Sequence, residues 1–250
     1  MSKVISLEQA VSMIPDGATV GIGGFIGCGH PQEFSVGIEE SFLKSGHPRD
    51  LTIMFSAGIG DGTDKLGLNK IGHEGLLKRI IGGHWGLIPK LQRLVFENKV
   101  EGYNLPLGTI SLMFREIAGH RPGVITKIGL KTFVDPRLEG GKMNERTKED
   151  LVELIEMDGE EWLRYKSFPV NVALIRATYC DEDGNATMDK EADAGFAGDR
   201  AGGEELRRHR AAAGGEGRTE RNAGCAQGED PGDLCGWDRG IASGEPLADL

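Results

Sequence analysis

Apolar positions near the start of the chain follow a helical beat. Leu7, Ala10, Val11 and Ile14 recur every three or four residues, and Ser6 with Gln9 among them makes a capping-box pattern. Pro15-Asp16-Gly17 ends that helix with turn chemistry. The pattern then shortens. Ala18 to Ile22 is an apolar run of strand length that breaks into Gly23-Gly24-Phe25, and after Gly27 and Gly29 a helix is expected near Pro31, where proline suits a first turn. The same order of strand, glycine loop and helix repeats. Leu51 to Phe55 runs into Gly58-Ile59-Gly60-Asp61-Gly62, and Arg79 to Ile81 runs into Gly82-Gly83 with Leu87 to Asn98 helical behind it. Gly102-Tyr103-Asn104 leads through Leu105-Pro106-Leu107-Gly108 into a helix from Thr109 to Ala118. Strands alternating with helices predict an α/β fold, an open, mostly parallel sheet with helices on both faces. Ligands of such sheets sit at the carboxyl ends of the strands, where these glycine loops fall. Between Asp135 and Ser167 the pattern changes to charged turns around Leu151 to Met157 and Trp162 to Tyr165, which predicts a β-hairpin-like insertion. Val170 to Thr178 returns as an apolar strand, and Asp181-Glu182-Asp183-Gly184-Asn185 reads as a solvated turn rather than a calcium loop, whose ligands fall on alternate positions.

Composition narrows the function class. The 250 residues, 38% apolar and 27% charged, suffice for a sizeable core in one large or two small domains. A net charge of -10 argues against a nucleic-acid partner, which needs a basic face. The start lacks a basic region ahead of a long apolar run, and no segment approaches a membrane span, so a cytoplasmic protein is expected. Cys28, Cys180, Cys225 and Cys235 form no CxxC pair and no metal-ligand spacing with the six histidines, and they read as free thiols. No metal and no permanently bound cofactor are expected.

The segment from Asp16 to Pro31 carries an Asp-Gly turn, an apolar strand, Gly23-Gly24-Phe25 and then Gly29-His30-Pro31. It resembles the signature of the family I coenzyme A transferases. Leu76 to Gly86, Glu97 to Pro106, Gly129 to Arg137 and Gly184 to Asp189 are similar to the acetate and propionate branch of that family, in the right order, over residues 1 to 192. The resemblance implies the N-terminal, alpha-like half of an enzyme that moves coenzyme A between a short-chain acyl-CoA and a carboxylate such as acetate or propionate. The catalytic glutamate, which passes through acyl and CoA adducts, is expected in a C-terminal, beta-like half supplied in cis or in trans, and the complete enzyme is expected to be a homo-oligomer. For this half the resemblance implies substrate binding. Gly23, Gly24 and Phe25 would form one wall of an acyl pocket, with Gly29 and Pro31 opening the next helix toward it, and Asn104, Leu107 and Gly108 would form a second. In the family a glutamine commonly precedes that last glycine. Leu107 cannot donate a hydrogen bond, so either another group does this work or activity is reduced.

Competing readings exist for several residues. A dinucleotide turn at Gly23-Gly24-Phe25 is set aside because the G-x-G-x-x-G spacing is missing. Cys28 beside His30 reads as a loop-filling thiol rather than a nucleophile, for want of a third orienting group. His84-Trp85 either lines the cavity or is core, and core is expected. Glu101, Asp135 and Arg137 divide evenly between binding substrate and tying loops together. An inactive fragment, or a module that binds carboxylates or acyl-CoA without turning them over, remains open beside the transferase half.

The stretch from Asp193 to Leu250 contains seven Arg and thirteen Gly but no Val, Lys, Met or Tyr. A disordered tail is the plain reading. A shifted reading frame is the sharper one, since permitted codons for Cys235 to Leu250, read one base later, give VDGIVASPQENHWQT, and Asp199 to His209 give IAQAVKNSGGI. The domain is therefore expected over 1–192, and 193–250 as a frame-shifted segment of low order.

Overall fold

Each glycine loop follows a parallel strand. In this computed structural model, which describes residues 4–177, 179–180 and 184–187, strands β1 (Thr19–Ile22), β2 (Leu51–Phe55), β3 (Leu77–Gly82) and β4 (Glu101–Asn104) lie side by side in chain order. The segment 193–250, with its expected change of frame, lies outside the described residues, as do Asp181, Glu182 and Asp183. Parallel neighbours need long crossovers. Helix α2 (Gln32–Ser45) joins β1 to β2, a 3-10 turn at Gly67–Ile71 lies between β2 and β3, and α3 (Pro89–Phe96) joins β3 to β4. The leading helix α1 (Leu7–Ser12) has the expected capping box, with Ser6 Oγ accepting from Gln9 N at 3.2 Å and Gln9 Oε1 accepting from Ser6 N at 3.1 Å.

The chain leaves the sheet after β4 and returns to its opposite side. Helix α4 (Leu107–Ala118) follows β4, then a separate antiparallel sheet forms from β5 (Gly123–Thr126), β6 (Val152–Met157) and β7 (Glu160–Lys166) in the order β5-β7-β6. The hairpin between β6 and β7 turns at Asp158-Gly159, both with positive φ (54° and 75°), as a two-residue turn matched to strand twist requires. Strand β8 (Val172–Leu174) then pairs parallel with β1, giving the order β4-β3-β2-β1-β8. The apolar run predicted over Val170 to Thr178 thus forms a shorter strand. Beyond it, β9 (Tyr179–Cys180) and β10 (Ala186–Thr187) pair antiparallel.

Alternation along the central strands sends side chains to two cores. Ile53, Phe55, Ile80 and Val20 pack with α1, α2, the 3-10 turn and α3, while Met54, Ile81 and Tyr103 pack with α4 and the antiparallel sheet. Ile53, Met54, Phe55 and Ile80 are fully buried, each contributing about 1.5–3 kcal/mol by removal from water. The outer edge of β4 is not left open. Asn104 N donates to Gly141 O, Met143 N to Gly102 O and Gly102 N to Thr147 Oγ1, so the segment before β6 covers that edge.

Glu101, Asp135 and Arg137, expected either to bind substrate or to tie loops together, each form an ion pair. Arg79 Nε donates to Glu101 Oε2 at 2.6 Å and lies 5.6 Å from the centre of the Tyr103 ring. Asp135 is buried and accepts from Arg137 Nε, from another guanidinium nitrogen of Arg137, and from the backbone of Lys131 and Arg137. The Arg137 guanidinium, ahead of those backbone donors, holds the Asp135 carboxyl far below the usual carboxylate range.

Candidate functional site at the carboxyl edge of the parallel sheet

The strand order reverses beside β1, since the chain steps outward through β2, β3 and β4 and then inserts β8 on the other side. A sheet of this kind opens a crevice at such a switch point. Gly23 sits there, its N–H donating to Leu174 O at the end of β8 at 3.0 Å. Gly24 then adopts φ 136°, which side chains avoid, and a Cβ on it would lie 3.0 Å from His30 Cβ. The loop closes through reciprocal bonds between Phe25 and Cys28, Phe25 N to Cys28 O at 2.9 Å and Cys28 N to Phe25 O at 2.8 Å. Gly24, Phe25 and Gly29 are half-buried, whereas Gly23 and Pro31 are buried. Pro31 occupies the position just before α2, so its part is to fix the start of that helix.

His30 holds this loop from below. It is 5% exposed, and its Nε2 lies 2.9 Å from Ser35 Oγ on the first turns of α2. Nδ1 makes no well-formed hydrogen bond. Burial pushes the imidazole pKa down to about 4, and the Gly23 backbone offsets only part of that effect. The ring is therefore neutral at physiological pH. Cys28 is exposed on the loop, away from the pairing between His30 and Ser35.

The second wall stands at the far side. Leu105 N donates to Gly82 O, Pro106 precedes α4, and Leu107 and Gly108 begin it. The first turn of α4 has no acidic residue and no side-chain cap. Gly108 is exposed, with nothing within 4 Å of where its Cβ would be. Among the described residues no acceptor meets the N–H groups of Leu107, Gly108 and Thr109, or that of Gly24. Thr109 is buried and its hydroxyl has no partner. Helix-start amides and the helix dipole together favour an anion at such a place.

β1 and β4 are three strand spacings apart, about 14 Å, so the two walls do not touch. The loops after β2 and β3 make the floor between them. Ile26 N donates to Gly58 O at 2.7 Å, and Gly60 N returns a bond to Ile26 O at 3.0 Å. Gly83 lies so close to both neighbours that a methyl group there would be 2.4 Å from Ser56 O and 2.8 Å from Leu107 Cα. Gly58 and Gly83 escaped identification as site residues in the sequence, although the recurrence of glycine after every strand was the signal. His84 and Trp85 part company. Trp85 is core as expected, donating Nε1–H to Gly82 O and meeting Phe55 edge-on at 6.2 Å. His84 corrects the expectation, being exposed above the floor.

The chemistry available to this edge is stabilisation of negative charge by backbone donors with no Cβ in the way. Among the described residues no group of three or more His, Cys, Asp or Glu could hold a metal ion, and no helix is long and apolar enough to cross a membrane.

Known proteins share this arrangement. The chain is 48% identical over 191 residues to caffeate CoA-transferase of Acetobacterium woodii, covering 76% of this chain and 36% of that protein. It is 30% identical over 188 residues to the acetate CoA-transferase subunit alpha of Escherichia coli K12, covering 74% of each. The crystal structure of the acyl-CoA transferase YdiF from E. coli O157:H7, a thioester complex with CoA, superposes with a TM-score of 0.73 and 41% identity over 75% of this chain and 36% of that one. The chain thus spans about a third of the length of the first curated relatives it matches. The family model described as coenzyme A transferase matches residues 4–203, well over half of the sequence. The chain belongs to the coenzyme A transferase family.

Proposed function

We propose that this chain is the acyl-pocket half of a transferase that passes coenzyme A from a short-chain acyl-CoA to a carboxylate such as acetate or propionate. The contiguous row of glycine strand ends from Gly24 through Gly58 and Gly83 to Gly108 carries this reading. Its open N–H groups suit an oxygen that gains charge as a thioester or anhydride is attacked. The names of the relatives, caffeate CoA-transferase and acetate CoA-transferase, support the same reaction class.

In this reading Gly23, Gly24, Phe25 and Gly29 shape one wall and Asn104, Leu107 and Gly108 the other, with Pro31 setting the helix behind the first. The nucleophilic glutamate comes from a beta-like half in cis or in trans, and the complete enzyme is a cytoplasmic homo-oligomer. The alignment of an acetate CoA-transferase alpha subunit with this chain, over 74% of each, supports a division of labour between two halves. Residues 193–250 are proposed to derive from a shifted frame, which sequencing of the gene decides.

The test is exchange between acetyl-CoA and propionate. The chain alone should bind acetyl-CoA in equilibrium dialysis yet form no propionyl-CoA, and adding a beta-like half that bears the glutamate should start the exchange. Absence of acetyl-CoA binding rejects the proposal.

A further inference from the structure

We propose that His84 is the side chain that contacts the carboxylate of the substrate; this rests on the transferase reading above and names a contact that reading lacks. Leu107 brings no side-chain donor to the first position of α4. His84 stands between the far wall and the Gly24 loop. It follows Gly83, whose backbone abuts Leu107 Cα, and its ring lies over Gly58, which accepts the bond from Ile26. Gly58, Gly83 and His84 thus bridge the two walls in one unbroken row.

The ring has a built seat. A Cβ on Gly58 would lie 2.4 Å from His84 Nδ1, and one on Gly86 would lie 3.3 Å from Cε1 and 3.6 Å from Nε2. Two glycines therefore leave the imidazole the space it occupies. Any side chain at Gly58 would move it. Within this seat His84 has no hydrogen bond or ion pair to any described residue. Charged groups on the surrounding loops are engaged elsewhere. Asp61 accepts from the backbone and hydroxyl of Thr63, and Lys90 lies against His73 and Glu39. A positioned, exposed imidazole with no partner among the described residues, following Gly83 where it abuts Leu107 at the uncapped start of α4, suits a small monocarboxylate that accepts from both sides.

The experiment follows the His84 ring proton on Cε1 by NMR through a pH titration of the whole chain, with and without saturating propionate, together with the backbone amides of Gly23 and Gly24. Propionate should raise the His84 midpoint by about 0.7 pH unit, the equivalent of a fivefold preference for the protonated ring, as an exposed ion pair gives. His84→Gln should weaken propionate binding about fivefold near pH 6 and flatten its pH dependence, and Gly58→Ala should do the same by displacing the ring. Movement of the Gly23 and Gly24 amides with an unmoved His84 midpoint overturns this inference while leaving the transferase reading intact. Silence from all of them overturns both.

Discussion

Acid should loosen this fold through His30 in a pH range where most carboxylates are still charged. The imidazole is buried beneath Gly24, bonded to Ser35 and pushed down to about 4, whereas in the unfolded chain it titrates near its ordinary value of about 6.5. The native state therefore binds fewer protons than the unfolded state between those two values, so stability rises with pH across the window. The contribution is complete above about pH 6.5 and disappears as the pH falls toward 4. Its size follows from proton linkage: about 2 kcal/mol lost by pH 5 and about 3 kcal/mol by pH 4. Asp16, Glu39, Asp135 and Asp150, all held below the usual carboxylate range, add their own losses at lower pH. A comparison with His30→Gln removes that background, because the variant keeps those carboxylates and lacks the buried base. Urea unfolding followed by tryptophan fluorescence should show the wild type losing about 2 kcal/mol more than the variant between pH 7.5 and pH 5. Parallel stability curves for the two proteins would refute the assignment of His30 as a buried neutral base.

Three further outcomes follow from positions of tight or strained backbone and from the far wall. Gly83→Ala places a methyl group against Ser56 O and Leu107 Cα, neither of which is the free end of a side chain, and should destabilise by about 1–3 kcal/mol in urea unfolding. Lys131 sits at φ 60°, a region that strains residues with a Cβ, so Lys131→Gly should stabilise by about 0.5–1 kcal/mol after the added freedom of the unfolded chain is subtracted. Leu107→Gln restores an amide donor at the start of α4, and calorimetry with propionate should show about tenfold tighter binding, as a hydrogen bond to a charged acceptor allows. Unchanged affinity would mean that the far wall does not meet the carboxylate.

The parallel sheet was legible because its strands obey two local rules at once. Leu51 to Phe55 is an apolar run bounded by polar residues and glycine, and it emerges as β2 with those bounds. The stretches Leu151 to Met157 and Trp162 to Tyr165 predicted a hairpin-like insertion, and β6 and β7 pair as one. What stayed hidden depends on tertiary neighbours. Gly123 to Thr126 is too short to carry a strand pattern of its own and becomes a strand by pairing with β7, and the cover that residues 141–147 place on β4 has no sequence period at all. The candidate site divides in the same way. Gly24 and Gly108 stood out through spacing and resemblance, but the floor at Gly58 and Gly83 emerges from contacts between loops more than twenty residues apart. His84 and Trp85 are adjacent and share one sequence context, yet the turn after β3 sends Trp85 into the core and His84 over Gly58.

Soaking crystals of the chain with acetyl-CoA tests the central claim most directly. The account predicts the thioester carbonyl at the carboxyl edge of β1 to β4, within hydrogen-bond reach of the Gly24 N–H or of the amides that open α4. A thioester bound on another face of the sheet, or an edge closed by side chains around Gly58 and Gly83, would contradict it.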